Sequence, residues 1–195
     1  MDQWFALVVF SIVSTGSPGP NNVLLWASGA AFGFRPTMPH IVGTALGIGV
    51  LALIAAAGLA AIVSAVPPLA VVMKIAASAY LLFLAWQVAG AHALERGELG
   101  RPMSVIQAAV FQAINPKGWI FALGAIAAFR PADLPVVPGS LLVAATMTAI
   151  VIPTAALWPA AGGWLGRLLD GERGRRVVSL GLAAVLAVSV VAIWR

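Results

Sequence analysis

Two short proline-containing sequences, each inside a long apolar stretch, carry the residues best suited to binding chemistry. They read SPGPNN at residues 17–22 and NPKG at residues 115–118. Proline lacks a backbone N–H and interrupts a helix, so each sequence should leave carbonyl and N–H groups without helical partners. The second has the pattern of a helix start, with Asn115 as cap, Pro116 as first residue and Lys117 in the first turn. A helix N-terminus carries partial positive charge, so this arrangement would suit an anion, particularly a carboxylate.

Lys117 is informative because a charge inside a membrane is costly. It lies about twelve positions into its apolar stretch, and inserting a charge at a helix centre costs roughly 2.5–3.5 kcal/mol. Two roles are open for this lysine. It contacts a bound carboxylate, or it binds the carbonyls that the interruption at Pro20 frees. Gln112 lies one turn before Asn115 and is a further candidate for lining the same site.

The candidate substrate-binding residues combine the two interruptions with their polar neighbours. They are Pro18, Gly19, Pro20, Asn21, Asn22, Gln112, Asn115, Pro116 and Lys117. No catalytic, cofactor-binding or metal-binding residues are expected. The chain has no cysteine, and His40 and His92 are expected singly in loops, whereas soft-metal sites need thiolates or clustered imidazoles. Hydrolysis needs a nucleophile with a base, and no carboxylate lies in an apolar stretch beside Ser17, so an enzyme is not expected.

The amino-acid composition indicates a membrane protein. Apolar residues make up 62% and charged residues 9% of its 195 residues, against about 45–50% and about 25% in soluble domains. The lipid bilayer is therefore an expected partner. The net charge of +5 reflects scattered Lys and Arg between apolar stretches and lacks the aromatic interleaving of a base-stacking surface, so nucleic acid is not an expected partner.

Six stretches are long enough to cross a membrane as helices, because about 20 residues span the hydrocarbon core. None alternates apolar and polar residues as the wall of a membrane barrel would, so an all-α integral membrane protein is predicted. Only Asp2 precedes the first stretch, which is interpreted as a retained membrane helix. The six stretches are approximately 4–26, 40–64, 68–90, 105–128, 139–163 and 176–194.

The positions of the prolines predict an internal repeat. Pro20 and Pro116 lie 96 positions apart in a single transmembrane domain, residues 1–195, that divides into halves 1–97 and 98–195. Three spans in each half force tandem halves into opposite orientations, which is the inverted-repeat plan of many secondary carriers. Helices one and four would then both be broken. Interrupted helices at corresponding points of two halves indicate a transporter's binding site.

Charge in the connections predicts the orientation. The loops after segments one, three and five hold seven Lys and Arg residues, and the opposite side holds three. Cytoplasmic loops are enriched in these residues, so both termini are predicted to be non-cytoplasmic. Within segment two, Gly43 and Gly47 form a small-xxx-small pair that predicts close helix packing. Lys74, near the start of segment three, is interpreted as an anchor that reaches the interface.

Several segments resemble the lysine exporter type (LysE/RhtB) translocator family, a group of amino-acid exporters. The similarity is carried by residues 17–22, 33–35, 43–47, 74–86 and 111–119. It covers segments one to four well and segments five and six only generically. Each motif is short, but their order, spacing and membrane setting make the combined match specific.

The resemblance implies a small carrier of the bacterial inner membrane that exports amino acids or related metabolites and forms homo-oligomers. Its Pro-Gly-Pro and Asn-Pro-Lys motifs correspond to residues 18–20 and 115–117. Some members have an acidic residue in segment two, where this chain has Gly49. This chain therefore lacks the membrane carboxylate through which proton carriers usually relay.

The favoured function is export of an amino acid, with its carboxylate held near Lys117 and the half-helix N-termini and its ammonium at the carbonyls of Pro18 and Gly19. The alternatives are an uncoupled channel, a membrane scaffold or, less favoured, a metal-ion exporter. A thiol-relay redox carrier is excluded because it needs paired cysteines. The identity of the amino acid and the coupling ion are left open by the sequence.

Overall fold

The computed structural model describes residues 2–59 and 101–168 continuously, together with scattered helical positions between 71 and 86 and between 176 and 191. The regular elements of these described residues are helices, as predicted. The predicted spans at 68–90 and 176–194 lie mostly outside them, as do Lys74 and His92. The site is therefore described from the remaining four predicted segments.

Six α-helices carry the described fold. They are α1 (Asp2–Gly16), α2 (Pro20–Phe32), α3 (Phe34–Ile54), α4 (Val105–Ile114), α5 (Pro116–Phe129) and α6 (Val136–Leu168). A short π-helix, Ala55–Leu59, continues α3. Two helices lie where segment one was predicted and two where segment four was predicted. The crossing of each pair as one broken span, within two inverted halves, stays a prediction.

Helix length distinguishes two kinds of element. The stretches Phe34–Gly58 and Val136–Leu165 are each long and apolar enough to cross a membrane. The helices α1 and α2 have 15 and 13 residues, so at about 1.5 Å per residue each reaches only part of the roughly 30 Å core. Joined end to end, α1 and α2 have the length that one crossing requires.

Local sequence explains where α2 and α5 begin. Pro20 and Pro116 each occupy a first helical position, where a missing N–H costs nothing. Asn115 caps α5 as predicted, because its Oδ1 accepts a hydrogen bond from the backbone N–H of Lys117 at 3.2 Å. Gly19 precedes α2 in an extended conformation and provides no side-chain cap. At each interruption a helix begins with proline, but only the second helix has a side-chain cap.

The prediction that His40 lies in a loop is wrong. Helix α3 begins at Phe34, and His40 is a buried residue in its second turn with 1% of its surface exposed. Gly33 makes the turn between α2 and α3 with a φ of 87°, a conformation that favours glycine. Pro36 then falls within the first turn, where the helix needs no N–H. Pro36 is therefore compatible with the start of the helix, and Pro39 lies inside it.

The core lies where α3 and α6 meet the shorter helices. Helix α6 packs against α1, α2 and α3, and α3 also packs against α4 and α5. Phe10 of α1 lies beside two rings of α5, with centroids 5.6 Å from Phe121 and 5.3 Å from Phe129. These contacts hold both interruptions next to α3 and α6. Fully buried members of this core include Leu7, Leu25, Ile41, Val143, Met147 and Val151.

Glycines allow the closest helix approaches. A Cβ on Gly43 would collide with the carbonyl of Val105, and one on Gly47 would lie 2.7 Å from Gln112 Cγ, so the predicted packing role of this pair is confirmed at the α3–α4 contact. Gly29 of α2 lies equally close to the backbone of Pro159 in α6. The close approach of α2 to α6 therefore requires glycine at position 29.

Gly29→Ala tests this dependence. The added methyl group would meet the Pro159 backbone, which cannot rotate aside, and overpacking of this kind costs about 1–3 kcal/mol. We expect a lower unfolding midpoint in detergent. Gly16→Ala is the matched control, because a Cβ at Gly16 meets nothing within 4 Å. Equal midpoints for the two variants would contradict the close α2–α6 packing.

Candidate functional site

A polar cleft lies where the two interruptions meet. Its internal volume is about 40 Å³, and it is bounded by the ends of α1 and α2, the α4–α5 junction, α3 and α6. Its polar lining is Ser14, Thr15, Asn21, Asn22, Thr44, Gln112, Asn115 and Lys117. Its apolar lining is Ile48, Phe121, Val151 and Ala155, with Gly19 and Gly118 between the two.

Lys117 joins the two interruptions. Its Nζ donates to the carbonyl of Ser17 at 2.5 Å and lies 3.4 Å from the carbonyl of Pro18. These carbonyls precede Pro20 and have no helical continuation to bond, so the ammonium provides the donor that the interruption removes. Of the two roles considered for Lys117, binding of freed carbonyls is the one that its contacts display.

Gly19 allows this approach. A Cβ at Gly19 would lie 2.7 Å from Lys117 Cδ and 3.1 Å from Nζ. A side chain at this position would therefore displace the lysine stem from the Ser17 carbonyl. Glycine at position 19 is therefore required for the close approach of Lys117, a residue of α5.

Asn22 stabilises the end of α1. Its Nδ2 donates to the carbonyl of Thr15 at 2.7 Å and to that of Ser17 at 2.8 Å. Thr15 extends this contact to α6, because its hydroxyl lies 2.7 Å from the hydroxyl of Thr154. The C-terminal end of α1 is thus hydrogen-bonded to both α2 and α6.

Three side-chain amides connect the α4–α5 junction to α2. Asn115 Nδ2 donates to Gln112 Oε1 at 2.9 Å, and Gln112 Nε2 donates to Asn21 Oδ1 at 2.9 Å. All three residues are at least nine-tenths buried. Buried amides must be paired, so this row fixes the two interruptions relative to one another.

Two residues of α3 reach the same oxygen of Asn21. Thr44 Oγ1 lies 3.2 Å and His40 Nε2 lies 3.4 Å from Asn21 Oδ1. Sequence analysis missed both residues. The available signal was the turn at Gly33, which starts α3 early enough to bring His40 and Thr44, four residues apart, onto one helix face.

The electrostatic character of the cleft is positive. Lys117 is half-buried beside it, and the N-termini of α2 and α5 add partial positive charge. The acidic side chain of Asp133 does not line the cleft, because it is exposed in the connection between α5 and α6. Within the residues that the structure describes, no group of three acidic, histidine or cysteine side chains could hold a metal ion.

Most predicted site residues lie together. Gly19, Asn21, Asn22, Gln112, Asn115 and Lys117 line the cleft. Pro18 is exposed and contributes its carbonyl, whereas Pro20 and Pro116 start helices. Sequence analysis missed the contributions of α1, α3 and α6, because nothing in those apolar sequences separates a cleft wall from ordinary packing. A role of the lining residues in substrate binding stays a prediction.

Gln112→Leu tests the amide row. It leaves Asn115 Nδ2 without its acceptor in a buried setting, which costs about 1–3 kcal/mol, so the unfolding midpoint should fall. Gln107→Leu, the same change on the exposed face of α4, removes only a capping contact with Ser104 and should cost less. Equal losses, measured by thermal unfolding in detergent, would contradict the structural importance of the row.

Comparison with known proteins gives related transporters. Proteins named cysteine/O-acetylserine efflux protein from Escherichia coli (strain K12), Shigella flexneri and Escherichia coli O1:K1 / APEC are each 29% identical over 125 residues. The matched region covers 64% of this chain and 64% of each relative, a little under two thirds of their length. No solved structure matches.

A family match covers nearly the whole chain. It is described as LysE type translocator and extends over residues 12–193. It includes both interruptions and the two last segments, for which sequence resemblance was only generic. The chain therefore belongs to the LysE type translocator family, whose members are multi-pass inner-membrane transporters and not enzymes.

Proposed function

We propose that the protein exports a small, uncharged amino acid or a related metabolite across the inner membrane, with the substrate carboxylate held at the cleft. The observation that carries this proposal is the meeting of two helix starts and one ammonium group at a single polar cleft. Membership in a translocator family supports the transport function. The names of the relatives support export of an amino acid.

The carboxylate is assigned to the region between Lys117 and the start of α2. A lysine ammonium has three donors, and two of them face the carbonyls of Ser17 and Pro18. The third is available to a carboxylate. Gly19 provides no side-chain cap for α2, so the N–H groups of Asn21 and Asn22 in its first turn are further donors for an anion.

The substrate ammonium is assigned to the other side of the interruption. The carbonyl of Gly19 and the hydroxyls of Ser14 and Thr15 are acceptors there, and all three residues line the cleft. A zwitterionic amino acid would thus find positive and negative partners within one short segment of chain. This pairing requires no acidic side chain.

The apolar wall limits the substrate side chain. Ile48, Phe121 and Val151 line the cleft and provide no partner for a charge. A small uncharged side chain fits this wall, whereas a basic one would need a carboxylate. Cysteine and O-acetylserine, which the names of the relatives contain, have side chains of this kind.

Transport requires the contact between the interruptions to change. Lys117 links the α4–α5 junction to the α1–α2 interruption across the cleft. A carboxylate that binds the ammonium competes with the Ser17 carbonyl and loosens this link. The two predicted inverted halves would then move about the site, opening it to each side in turn. The orientation with both termini outside the cytoplasm, and assembly into homo-oligomers, belong to the same proposal.

Lys117→Met tests the proposed site. Loss of one charge-assisted hydrogen bond costs about 1.5–3 kcal/mol, so the apparent affinity should fall roughly 10–100-fold. The measurement is counterflow of labelled L-cysteine into proteoliposomes that hold unlabelled substrate. A reductant keeps this substrate reduced and leaves the protein unchanged, since the chain has no cysteine.

Arg130→Gln is the control for loss of a positive charge. Arg130 lies at the opposite end of α5 and outside the cleft lining, so counterflow should persist. Membrane insertion of both variants is compared by immunoblot. If Lys117→Met shows the same counterflow as the wild-type protein, the assignment of Lys117 to the substrate site is wrong. Label entry without any dependence on internal substrate would favour a channel.

A further inference from the structure

Asn21 lines the cleft, and one half of its side-chain amide has no partner. The residue is 6% exposed. Its side-chain hydrogen bonds to described residues all end at Oδ1, which Gln112, Thr44 and His40 approach. The amide nitrogen Nδ2 carries two hydrogens and has no acceptor among the residues that the structure describes. Buried donors are nearly always paired, so this one needs an explanation.

The amide row fixes this orientation of Asn21. The backbone N–H of Lys117 can only donate, so Asn115 directs its oxygen toward that N–H and its nitrogen toward Gln112. Gln112 then directs its nitrogen toward the carbonyl of Ala108 and toward Asn21. Asn21 must present its oxygen to that nitrogen, so its own nitrogen occupies the other branch of the amide.

The unpaired nitrogen of Asn21 borders the open space of the cleft. In the part of the chain that the structure describes, the fully enclosed side-chain atoms without a partner are Ser11 Oγ and His40 Nδ1. Asn21 Nδ2 also lacks a partner but is not enclosed in this way, so it borders accessible space. The space that Asn21 lines is the cleft. A molecule in the cleft can therefore reach this donor.

The free donor lies close to the apolar lining of the cleft. Thr44, which contacts the Asn21 amide, lies one turn before Ile48 on the same face of α3. A Cβ on Gly118 would lie 3.4 Å from Gln112 Oε1 and 3.4 Å from Ile48 Cδ1, so the amide row and Ile48 are neighbours across this glycine. The Asn21 amide is thus near the part of the cleft to which the substrate side chain is assigned.

We propose that Asn21 Nδ2 donates a hydrogen bond to the substrate side chain, so that the carrier selects uncharged side chains that contain a hydrogen-bond acceptor. This inference rests on the proposed export function and its placement of the side chain at the apolar lining. The carboxylate and the ammonium of the substrate have their own partners, which every amino acid can use. Selection among amino acids therefore depends on what the side chain meets, and Asn21 provides a donor there.

Selectivity follows from the cost of leaving this donor unpaired. An apolar side chain in the cleft would exclude water from Nδ2 without providing an acceptor, which lowers affinity roughly 10-fold or more. A site built on a hydrogen bond rejects analogues that lack it more strongly than an apolar pocket rejects a change of size. An ester carbonyl or a hydroxyl satisfies the donor well, and a thiol satisfies it more weakly.

Two analogues of one shape test the selectivity. O-acetyl-L-serine has a side chain with acceptors and no donors, and L-homoleucine has the same branched shape without an acceptor. Each is added unlabelled to inhibit counterflow of labelled L-cysteine into proteoliposomes, in slightly acidic buffer that keeps the ester intact. Wild-type protein should be inhibited by O-acetyl-L-serine at a concentration roughly 10-fold lower than by L-homoleucine. Equal inhibition by the two analogues would overturn the inference.

Asn21→Leu tests the assignment to this residue. Gln112 keeps its contact with the carbonyl of Ala108 in this variant. Thr44 likewise keeps its contact with the carbonyl of His40, so both neighbours stay paired. The difference between the two analogues should disappear. A difference retained by Asn21→Leu would overturn the inference, as would weakening of both analogues by one common factor, which is the effect of a purely structural residue.

Two controls isolate the side-chain contact. Lys117→Met should weaken both analogues by the same factor and keep the difference between them, because both carry a carboxylate. Gln107→Leu removes an amide from the exposed face of α4 and should leave inhibition by both analogues at the wild-type level. Loss of the difference in either control would overturn the assignment to Asn21.

A second variant covers failure of Asn21→Leu to insert. Asn21→Asp keeps an oxygen toward Gln112 and lacks the two amide hydrogens, so it should lose the difference between the analogues in the same way. A retained difference would overturn the inference. Absence of L-cysteine counterflow in wild-type protein would overturn the export function, whereas wild-type counterflow with equal inhibition by the two analogues would overturn the role of Asn21 alone.

Discussion

The structure depends on satisfying the backbone carbonyls at the junction between α1 and α2. The carbonyls at this junction that lack helical partners need other donors. Lys117 meets this need for residues 17 and 18, and Asn22 meets it for residues 15 and 17. The lysine charge, costly in lipid by itself, lies among the groups that most need a donor. The same contact brings two distant parts of the chain together.

The organisation of the cleft follows from that contact. The interruptions are polar on one side and lie against α3 and α6, two helices long enough to cross a membrane. The helix junctions contribute polar side chains to the cleft lining, and Ile48, Phe121 and Val151 contribute apolar ones. A zwitterion with a small side chain matches this division. Asn21, at the start of α2, is the member of the amide row that also contacts α3.

Sequence reasoning reached the interruptions but not their surroundings. Proline and asparagine have strong local effects, so the starts of α2 and α5 and the cap at Asn115 could be predicted. The pairing of Lys117 with the Ser17 carbonyl could be considered only as one of two roles, because it depends on tertiary approach. His40 was misplaced because the connection between segments one and two was expected to include it, whereas α3 begins at Phe34. Thr44 and Phe121 could not be separated from ordinary helix packing.

The carbonyl of Ser17 has a second donor. Asn22 Nδ2 lies 2.8 Å from the same oxygen that Lys117 binds. When the ammonium turns toward another anion, this oxygen keeps one hydrogen bond, and the cost of an orphaned group in lipid is avoided. Lys117 can therefore leave the Ser17 carbonyl while that carbonyl stays hydrogen-bonded to Asn22. The contact between Lys117 and Ser17 is thus reversible although it is strong. An aspartate at position 22 would lack the spare amide hydrogen and would make the same release expensive.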